Sequence, residues 1–374
     1  MKNKLVVKSP DLTVDKMATL CRNSIELIRY ARKYASNQIN YTQLMTYYGL
    51  GYWIVEEQQL GEQRAGYGKK VIQTLSDALN AEFGKGFSVD TLENARKFYL
   101  NYQGRISETL FRKFIKEKSD TLFRISGEDV PFTLSWSHYL QLMRIRNLDE
   151  RRFYEIEATK SAWSLRTLQR QYNSSLYERL ALSRDKDRVM RLAQEGNVIE
   201  KPADIVKQPT VLEFLGLEES EKFSETNLES AIIDKLQKFL LESGKGYLFE
   251  ARQKRFSYDE ENFYVDLVFY NRLLRCYVLI DLKIDKLTHQ DLGQMQMYVN
   301  YYDRYQKLPD ENPTIGILLC REKNDAVVRM TLPENSNIFA AEYSLYLPNK
   351  KLLQKKLEEW ITEETGGEGD ETTI

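Results

Sequence analysis

Two apolar segments in the second half of the chain are each interrupted by one carboxylate. Asp266 precedes the apolar run 267–269, and Asp281 directly follows the apolar run 278–280. A carboxylate in a buried strand is unfavourable unless it is paired or binds a cation, and two on neighbouring strands repel each other. Lys283 lies two positions after Asp281, so both point to the same side of an extended strand. The chain is therefore restricted to folds that bring positive charge to these acids.

The elements predicted around these acids follow the order helix, three strands, helix, strand. Apolar spacing of 3.6 residues marks the helices, and short apolar runs between turn residues mark the strands. The short turn after Asn271 predicts an antiparallel hairpin, and Thr288 is the expected cap of the second helix. The predicted segments, in chain order, are 228–243, 247–256, 262–271, 273–284, 287–306 and 314–320.

The side chains in this pattern suit the hydrolysis of a phosphodiester at a divalent cation. Mg²⁺ binds through a few carboxylate oxygens and keeps several water molecules. Asp266 and Asp281 are the expected ligands, and the backbone carbonyl of Leu282 is a further candidate. Lys283 would assist deprotonation of the attacking water and, with the metal, stabilise charge on the phosphate oxygens.

The segment resembles the PD-(D/E)XK nuclease superfamily, whose active site combines an acid of the second strand with an acid-x-lysine of the third. Asp266 and the run Asp281, Leu282, Lys283 match these positions, whereas Val265 replaces the usual proline. The resemblance implies a restriction-endonuclease-like core of order αβββαβ. It also implies Mg²⁺ as the cofactor, with Mn²⁺ as a substitute.

The same resemblance adds candidates for the site. Glu229 matches an additional acid of the first helix that binds metal directly or through water; an exposed acid in the first helical turn is the alternative interpretation. Gln294 matches a glutamine often found on the helix after the third strand, and Tyr298 shares its approximate face. Tyr298 is also a candidate nucleic-acid contact.

Basic side chains of the first strand are candidate phosphate contacts. Arg252, Lys254 and Arg255 lie on or just after this strand, and alternation places Arg252 and Lys254 on one face. A solvated strand end is the alternative, and the sequence does not decide between the two.

The likeness is closest to one bacterial group, the YhcG-like nuclease family. Residues 265–304 carry it, together with the segments 134–145, 153–158, 175–180 and 210–217. The resemblance covers roughly residues 20–350. It implies an N-terminal helical, helix-turn-helix-like domain joined to the nuclease, a nucleic-acid substrate expected to be DNA, and a role in phage defence or DNA processing.

The chain is therefore expected to be an α+β multidomain protein. Its expected parts are an all-α domain that binds DNA or a partner (14–183), a linker (184–210), an α/β nuclease domain (211–352) and a disordered acidic tail (363–374). The N-terminal pattern of helix, glycine-containing turn and helix is typical of a helix-turn-helix but also of any αα-hairpin. Asn94, Arg96 and Lys97 are the candidate base contacts.

A second arginine-rich region lies at 144–170 and interleaves with aromatic residues. One interpretation is a helical bundle whose arginines pair with neighbouring acids; the other is a phosphate-binding face. The arginines concerned are Arg144, Arg146, Arg151, Arg152, Arg166 and Arg170.

Composition limits which classes of protein the chain can belong to. The net charge of -1, from 54 basic and 55 acidic residues, gives no bulk support to nucleic-acid binding. Three scattered cysteines and two histidines argue against a disulfide framework and a zinc site. No apolar run approaches the roughly 20 residues of a membrane span. We expect a cytoplasmic protein with no membrane partner.

The favoured hypothesis is an Mg²⁺-dependent endodeoxyribonuclease. A nuclease-derived module that binds nucleic acid or protein without cleavage is the alternative, although such modules usually lose the acid or the lysine. A helical interaction role for the N-terminal half is compatible with both. Enzymes that cut both strands often act as dimers, so a homodimer is expected by analogy.

Overall fold

The computed structural model describes residues 12–60, 67–107, 111, 131–182, 186–217, 223–333 and 335–366. The chain divides into two compact units, Met1–Arg146 and Asn147–Ile374. The first unit is helical, and the second contains a mixed sheet with helices. The predicted α+β organisation is confirmed.

The first unit contains the helices α1 (Leu12–Leu60), α2 (Tyr67–Phe83), α3 (Val89–Tyr102) and α4 (Trp136–Leu142). Ser88 caps the start of helix α3, because its side chain accepts a hydrogen bond from the Thr91 backbone N–H. Helices α1 and α3 cross closely, and a Cβ added at Gly51 would lie 2.2 Å from the Ala95 carbonyl oxygen. Glycine is therefore required at this crossing.

The candidate base contacts of α3 differ in their availability. Lys97 is exposed, Asn94 is half-buried, and the Arg96 Nε donates to the Gln58 Oε1 at 2.6 Å. Helices α2 and α3 form the predicted helical hairpin. Its role as a helix-turn-helix that reads DNA stays a prediction.

The second unit begins with the helices α5 (Leu148–Lys160), α6 (Leu165–Asn173), α7 (Leu176–Ala181) and α8 (Lys186–Glu195). A buried ion network joins these helices to the sheet domain. The Glu242 carboxylate lies 2.5 Å from the Arg179 Nη1 and 3.1 Å from the Arg170 Nη1, and it also accepts the Val211 backbone N–H. These long-range contacts explain why helices from the predicted N-terminal domain belong to the second compact unit.

The predicted linker 184–210 contains ordered structure where it is described. Helix α8 and a 3-10 turn at Pro202–Ile205 lie within it, and Leu192 and Ile205 are buried. The sequence suggested a linker because the segment is polar and contains two prolines. The functional division into helical domain, linker and nuclease domain stays a prediction.

A six-stranded mixed sheet follows, in the order β1-β6-β5-β4-β3-β2. Strands β2, β3 and β4 are antiparallel neighbours, whereas β4, β5, β6 and β1 run parallel. The strand bounds are β1 (Thr210–Val211), β2 (Tyr247–Tyr258), β3 (Glu261–Asn271), β4 (Cys276–Lys286), β5 (Ile315–Glu322) and β6 (Ile338–Ser344). The helix bounds are α9 (Glu225–Asp234), α10 (Leu236–Ser243), α11 (His289–Tyr305), α12 (Asp325–Thr331) and α13 (Lys350–Gly366). The predicted αβββαβ order is confirmed.

Each face of the sheet is covered by helices. Leu267, Ile280 and Leu282 pack in one apolar cluster with residues of α9 and α10. Leu279 and Leu318 pack in the other cluster with residues of α11. Alternate strand residues therefore enter opposite cores, as the period of two requires.

The end of the chain departs in part from the prediction. Helix α13 continues to Gly366, so the first residues of the predicted disordered tail are helical. Residues 367–374 lie outside the described part of the chain. No helix among the described residues combines the length and apolar character that crossing a bilayer requires.

Candidate active site

Strands β3 and β4 separate at the two acids that interrupt them. Their pairing runs from Asn271 opposite Cys276 to Leu267 opposite Ile280, and it ends there. Immediately beyond that point the Asp266 Oδ2 accepts the Leu282 backbone N–H at 2.8 Å. A side chain thus takes the place of a strand neighbour, which opens a cleft between the two strands.

Asp281 and Lys283 form the charged centre of this cleft. Asp281 is 3% exposed, and its Oδ2 lies 2.9 Å from the Lys283 Nζ. Lys283 also lies 3.8 Å from the Glu225 Oε2 and 4.0 Å from the Asp291 Oδ1. Both additional acids belong to the first turns of helices that flank the sheet. The sequence did not identify these two acids as site residues, because acids in first helical turns are common for purely local reasons.

The electrostatics of the centre follow from burial and close charges. Burial, and next the charge of Asp266, raise the pKa of Asp281 to about 7, although the Lys283 ammonium opposes the shift. Burial alone would lower the pKa of Lys283, but Asp281, Glu225 and Asp266 outweigh it and raise that pKa. Lys283 is therefore firmly protonated, and an additional cation would stabilise the ionised form of Asp281.

A glutamine bridges the two outer carboxylates. The Gln253 Nε2 donates to the Glu229 Oε2 at 2.7 Å and to the Asp266 Oδ1 at 2.9 Å. Gln253 has φ of 44°, a left-handed conformation that costs a non-glycine residue roughly 1–2 kcal/mol. Sequence periodicity contains no signal for such a kink in a strand, so Gln253 could not be identified from the sequence as a site residue.

Glu229 lies in the site and is 3% exposed. The alternative of an exposed acid in a first helical turn is therefore wrong. Its Oε1 lies 3.5 Å from the Arg252 Nε but accepts no hydrogen bond from any described residue. The Asp281 Oδ2, in contrast, already has the Lys283 ammonium as its partner at 2.9 Å. A buried carboxylate oxygen that accepts no hydrogen bond, as at Glu229, is unusual and requires a physical explanation.

Helix α11 contributes Gln294 and Tyr298 beside the centre. The Gln294 Nε2 donates to the Tyr298 hydroxyl at 2.5 Å. Burial first, and the nearby Asp281 second, raise the pKa of Tyr298 to about 12. Tyr298 is 1% exposed and packs edge-on against Phe256. This burial argues against the predicted direct contact of Tyr298 with nucleic acid.

The three basic candidates of β2 are all exposed, and each has a partner. Arg252 pairs with Glu229, and the Lys254 Nζ lies 3.5 Å from the Glu250 Oε1. Arg255 donates to the Asn262 side chain at 2.8 and 3.0 Å. Their role in phosphate binding stays a prediction.

The arginines of the 144–170 region are divided between interior and surface. Arg151 is buried, and Arg170 lies 3.0 Å from the Glu213 Oε1 as well as near Glu242. Arg144, Arg146, Arg152 and Arg166 are exposed. Arg170 thus pairs with acids, as the bundle interpretation expects, but with acids from outside the predicted bundle.

The donor atoms of the cleft suit a hard cation, although they are not assembled as a ready ligand cluster. Within the described ranges, no group of three or more His, Cys, Asp or Glu side chains is spaced to hold a metal ion. The buried carboxylate oxygens of Glu229 and Asp281 nevertheless belong to the ligand type that Mg²⁺ and Mn²⁺ prefer. Leu282 directs its N–H to Asp266; the role of its carbonyl as a ligand stays a prediction.

Comparison with known proteins gives two family matches and one extended relative. Residues 203–358 match the YhcG PDDEXK nuclease domain, and residues 23–179 match the DUF1016 N-terminal domain. The chain is 37% identical over 346 residues to the Escherichia coli (strain K12) protein named "Putative nuclease YhcG". The match covers 89% of this chain and 91% of that protein.

Two solved structures match a smaller part of the chain, at low identity. One is a repair endonuclease from Pyrococcus abyssi, at 17% identity and a TM-score of 0.24, matched over 35% of this chain. The other is the EndoMS-dsDNA2 complex, at 16% identity and a TM-score of 0.25, matched over 36% of this chain. In both cases the match spans half of the solved chain.

Proposed function

Because the chain belongs to the YhcG family of PD-(D/E)XK nucleases, we propose that it is a metal-dependent endonuclease that hydrolyses phosphodiester bonds of DNA. One observation carries the proposal. The Asp281 carboxylate is buried beside Asp266, and burial and the Asp266 charge raise its pKa even though the Lys283 ammonium lies 2.9 Å away. A divalent cation would remove the repulsion between the two acids and stabilise their ionised forms.

Asp266, Asp281 and Glu229 are the proposed metal ligands, with the Leu282 carbonyl as a fourth. Mg²⁺ is the proposed ion and Mn²⁺ its substitute. When bound, the ion supplies Lewis acidity and activates water for attack on phosphorus. The Gln253 amide donates hydrogen bonds to the Glu229 and Asp266 carboxylates and so holds both in place.

Lys283 acts as a cation in this proposal. Its raised pKa keeps the ammonium protonated, so it donates hydrogen bonds rather than accepting a proton. It orients the attacking water and stabilises charge that develops on a phosphate oxygen. The sequence predicts that Lys283 assists deprotonation of the water, whereas the role proposed here is limited to orienting the water and stabilising charge.

Other residues are proposed to support the reaction. Gln294 orients the Tyr298 hydroxyl next to the acids. Both residues support the acids and are not proposed to touch the substrate. Arg252, Lys254 and Arg255 are exposed on β2, where they would contact phosphates of the bound strand.

The N-terminal helices are proposed to hold DNA or a partner, and Lys97 is the exposed one of the three candidate contacts on α3. The cytoplasm is the proposed location, and phage defence or DNA processing the proposed process. Neither assignment affects the chemistry at the cleft.

The proposal is tested with the full chain and a panel of supercoiled, linear, branched and single-stranded DNA, together with RNA. Each substrate is incubated with Mg²⁺, with Mn²⁺ or with a chelator. We expect cutting of at least one DNA that requires the metal. Binding that persists in chelator, without cleavage of any substrate under any metal condition, would support the non-cleaving module and overturn the proposal.

A further inference from the structure

A surface cavity of about 290 Å³ lies between helix α11 and the end of strand β2. Its wall includes Phe256 and Tyr258 from β2, with Tyr301, Arg304 and Tyr305 from α11. Ligand cavities usually span roughly 300–1,000 Å³, so this one suits a small planar group. None of these five residues belongs to the proposed catalytic centre.

Four aromatic rings line the cavity, and they differ in exposure. The Phe256 and Tyr301 rings stack at a centroid distance of 4.0 Å and an angle of 20°. Tyr305 lies 5.2 Å from Tyr301 and 6.4 Å from Tyr258. Tyr258 is 52% exposed and Tyr305 is 58% exposed. Two tyrosine faces at the mouth are thus available to a ligand, while the deeper pair fixes the floor.

The polar groups of the cavity match the edges of a nucleobase. The Gln296 Nε2 donates to the Asn300 Oδ1 at 3.2 Å. Either orientation of the two amides leaves one NH2 group and one carbonyl oxygen outside their mutual hydrogen bond, and neither side chain bonds to another described residue. Arg304 is exposed and forms no salt bridge with any described carboxylate. It is available to a phosphate or to the face of a base.

The cavity shares a wall with the catalytic centre. The Phe256 ring contacts Tyr298 edge-on at 5.6 Å, and the Tyr298 hydroxyl binds Gln294. Gly293 also lines the cavity, and a Cβ placed there would meet nothing within 4 Å. Asp291, one helical turn before Gln294, lies 4.0 Å from the Lys283 Nζ. Helix α11 therefore contributes residues both to the cavity and to the catalytic centre.

We propose that this cavity binds one unstacked base of the strand whose phosphodiester is cut, which rests on the proposed function. The rings supply stacking surfaces that accept any base, and the two amides contact the edge of the base. A base can enter only when it has left the helix stack. The preferred substrate is therefore a single strand, or a duplex with an unpaired or displaced base, rather than intact duplex.

The test measures the affinity of the full-length Asp281→Asn chain for an end-labelled single-stranded DNA by fluorescence anisotropy. Tyr305→Ala should weaken binding roughly 5- to 150-fold, the range for removal of one stacking side chain. Tyr305→Phe keeps the ring and should retain the affinity. Tyr346→Ala removes an exposed tyrosine outside the cavity and serves as the control.

An abasic residue placed at each position of the oligonucleotide in turn provides the decisive arm. An abasic residue at one position only should weaken binding by about the same factor as Tyr305→Ala does. In the Tyr305→Ala chain the abasic residue should have no further effect, because the abasic residue and the substitution remove the same stacking contact. Additive losses, or unchanged affinity after Tyr305→Ala, would overturn the inference and assign the cavity to another ligand. Cleavage by the unmodified chain separates this outcome from failure of the proposed function, in which no DNA is cut under any metal condition.

Discussion

The Asp266 side chain accepts the backbone N–H of Leu282 at the point where strands β3 and β4 cease to pair. One carboxylate thus has two tasks: its Oδ2 replaces a strand partner, and its Oδ1 accepts the Gln253 amide. The hydrogen bond from the Leu282 N–H to Asp266 therefore both separates the two strands and fixes the position of the Asp266 carboxylate. Stability and catalysis are therefore separable at this residue by choice of substitution.

Substitution of Asp266 should have graded effects on folding and uniform effects on activity. Asp266→Asn keeps one acceptor in place of two, so we expect a loss of about 1–3 kcal/mol in the free energy of unfolding, with a larger loss for Asp266→Ala. Cleavage should fall at least about 100-fold in both, since both remove the charge. Denaturant unfolding and initial cleavage rates measure the two effects. An Asp266→Asn chain that cuts at the normal rate would contradict the assignment.

Removal of the Lys283 charge should reduce cleavage without preventing DNA binding. Lys283→Met keeps the length of the side chain, and we expect the rate to fall by about 10²–10³-fold, the usual effect of losing one group that stabilises developing charge. Single-turnover cleavage and anisotropy separate the two steps. The exposed Lys286→Met on the same strand is the matched control. Full activity of Lys283→Met would rule out its proposed role.

Gln253 should matter most when no metal is present. Its amide bridges Glu229 and Asp266, so Gln253→Ala leaves two close carboxylates without a shared donor and should lower the free energy of unfolding by about 1–3 kcal/mol. A bound cation replaces this attraction, and Mg²⁺ should therefore raise the melting temperature of Gln253→Ala more than that of the unmodified chain.

The exposed Gln237→Ala provides the comparison for this experiment. Thermal unfolding of the three proteins with Mg²⁺ and with chelator gives the result directly. Equal metal-induced shifts in all three would show that Gln253 does not compensate for the absent cation.

The buried Glu242 should make the second unit sensitive to acid. Burial would raise the pKa of Glu242, but Arg179, Lys207 and Arg170 outweigh it and lower the pKa to about 2. An unfolded glutamate titrates near 4.3, so the ionised group stabilises the fold above that pH, and the contribution is lost as the pH falls towards about 2. Glu242→Gln should cost about 3–5 kcal/mol at pH 7, because it leaves the fully buried Arg179 without its carboxylate partner.

The difference between Glu242→Gln and the unmodified chain should shrink as the pH is lowered from 5 to 3. Denaturant unfolding at each pH measures it. Glu195→Gln removes the partner of the exposed Arg191 and should leave the unfolding free energy essentially unchanged. A difference that stays constant down to pH 3 would exclude the lowered pKa as its cause.

The sequence predicted the parts of the site that depend on local pattern. Asp266, Asp281 and Lys283 were identifiable because charged residues interrupt apolar strands, and Glu229 because the family resemblance assigns an acid to that helix. The αβββαβ order followed from periodicity and turn residues. Each of these signals is contained in a short segment.

The remaining features depend on geometry that no short segment encodes. Gln253 reaches the acids only because its backbone turns into the left-handed region. Arg170 and Glu242 are far apart in sequence and meet only in the folded chain. Their ion pair is one of the contacts within the unit Asn147–Ile374, whose start differs from the predicted domain boundary. Tyr298 was expected to contact nucleic acid, but its ring packs in the core under α11.

The measurement that tests the central claim most directly is DNA cleavage by the unmodified and Asp281→Asn chains, side by side with Mg²⁺, Mn²⁺ and chelator. Asp285→Asn, an exposed acid on the same strand, is the matched control. We predict metal-dependent cutting by the unmodified and Asp285→Asn chains and a loss of at least about 100-fold in Asp281→Asn. Equal cutting by Asp281→Asn, with unchanged thermal unfolding, would contradict the account.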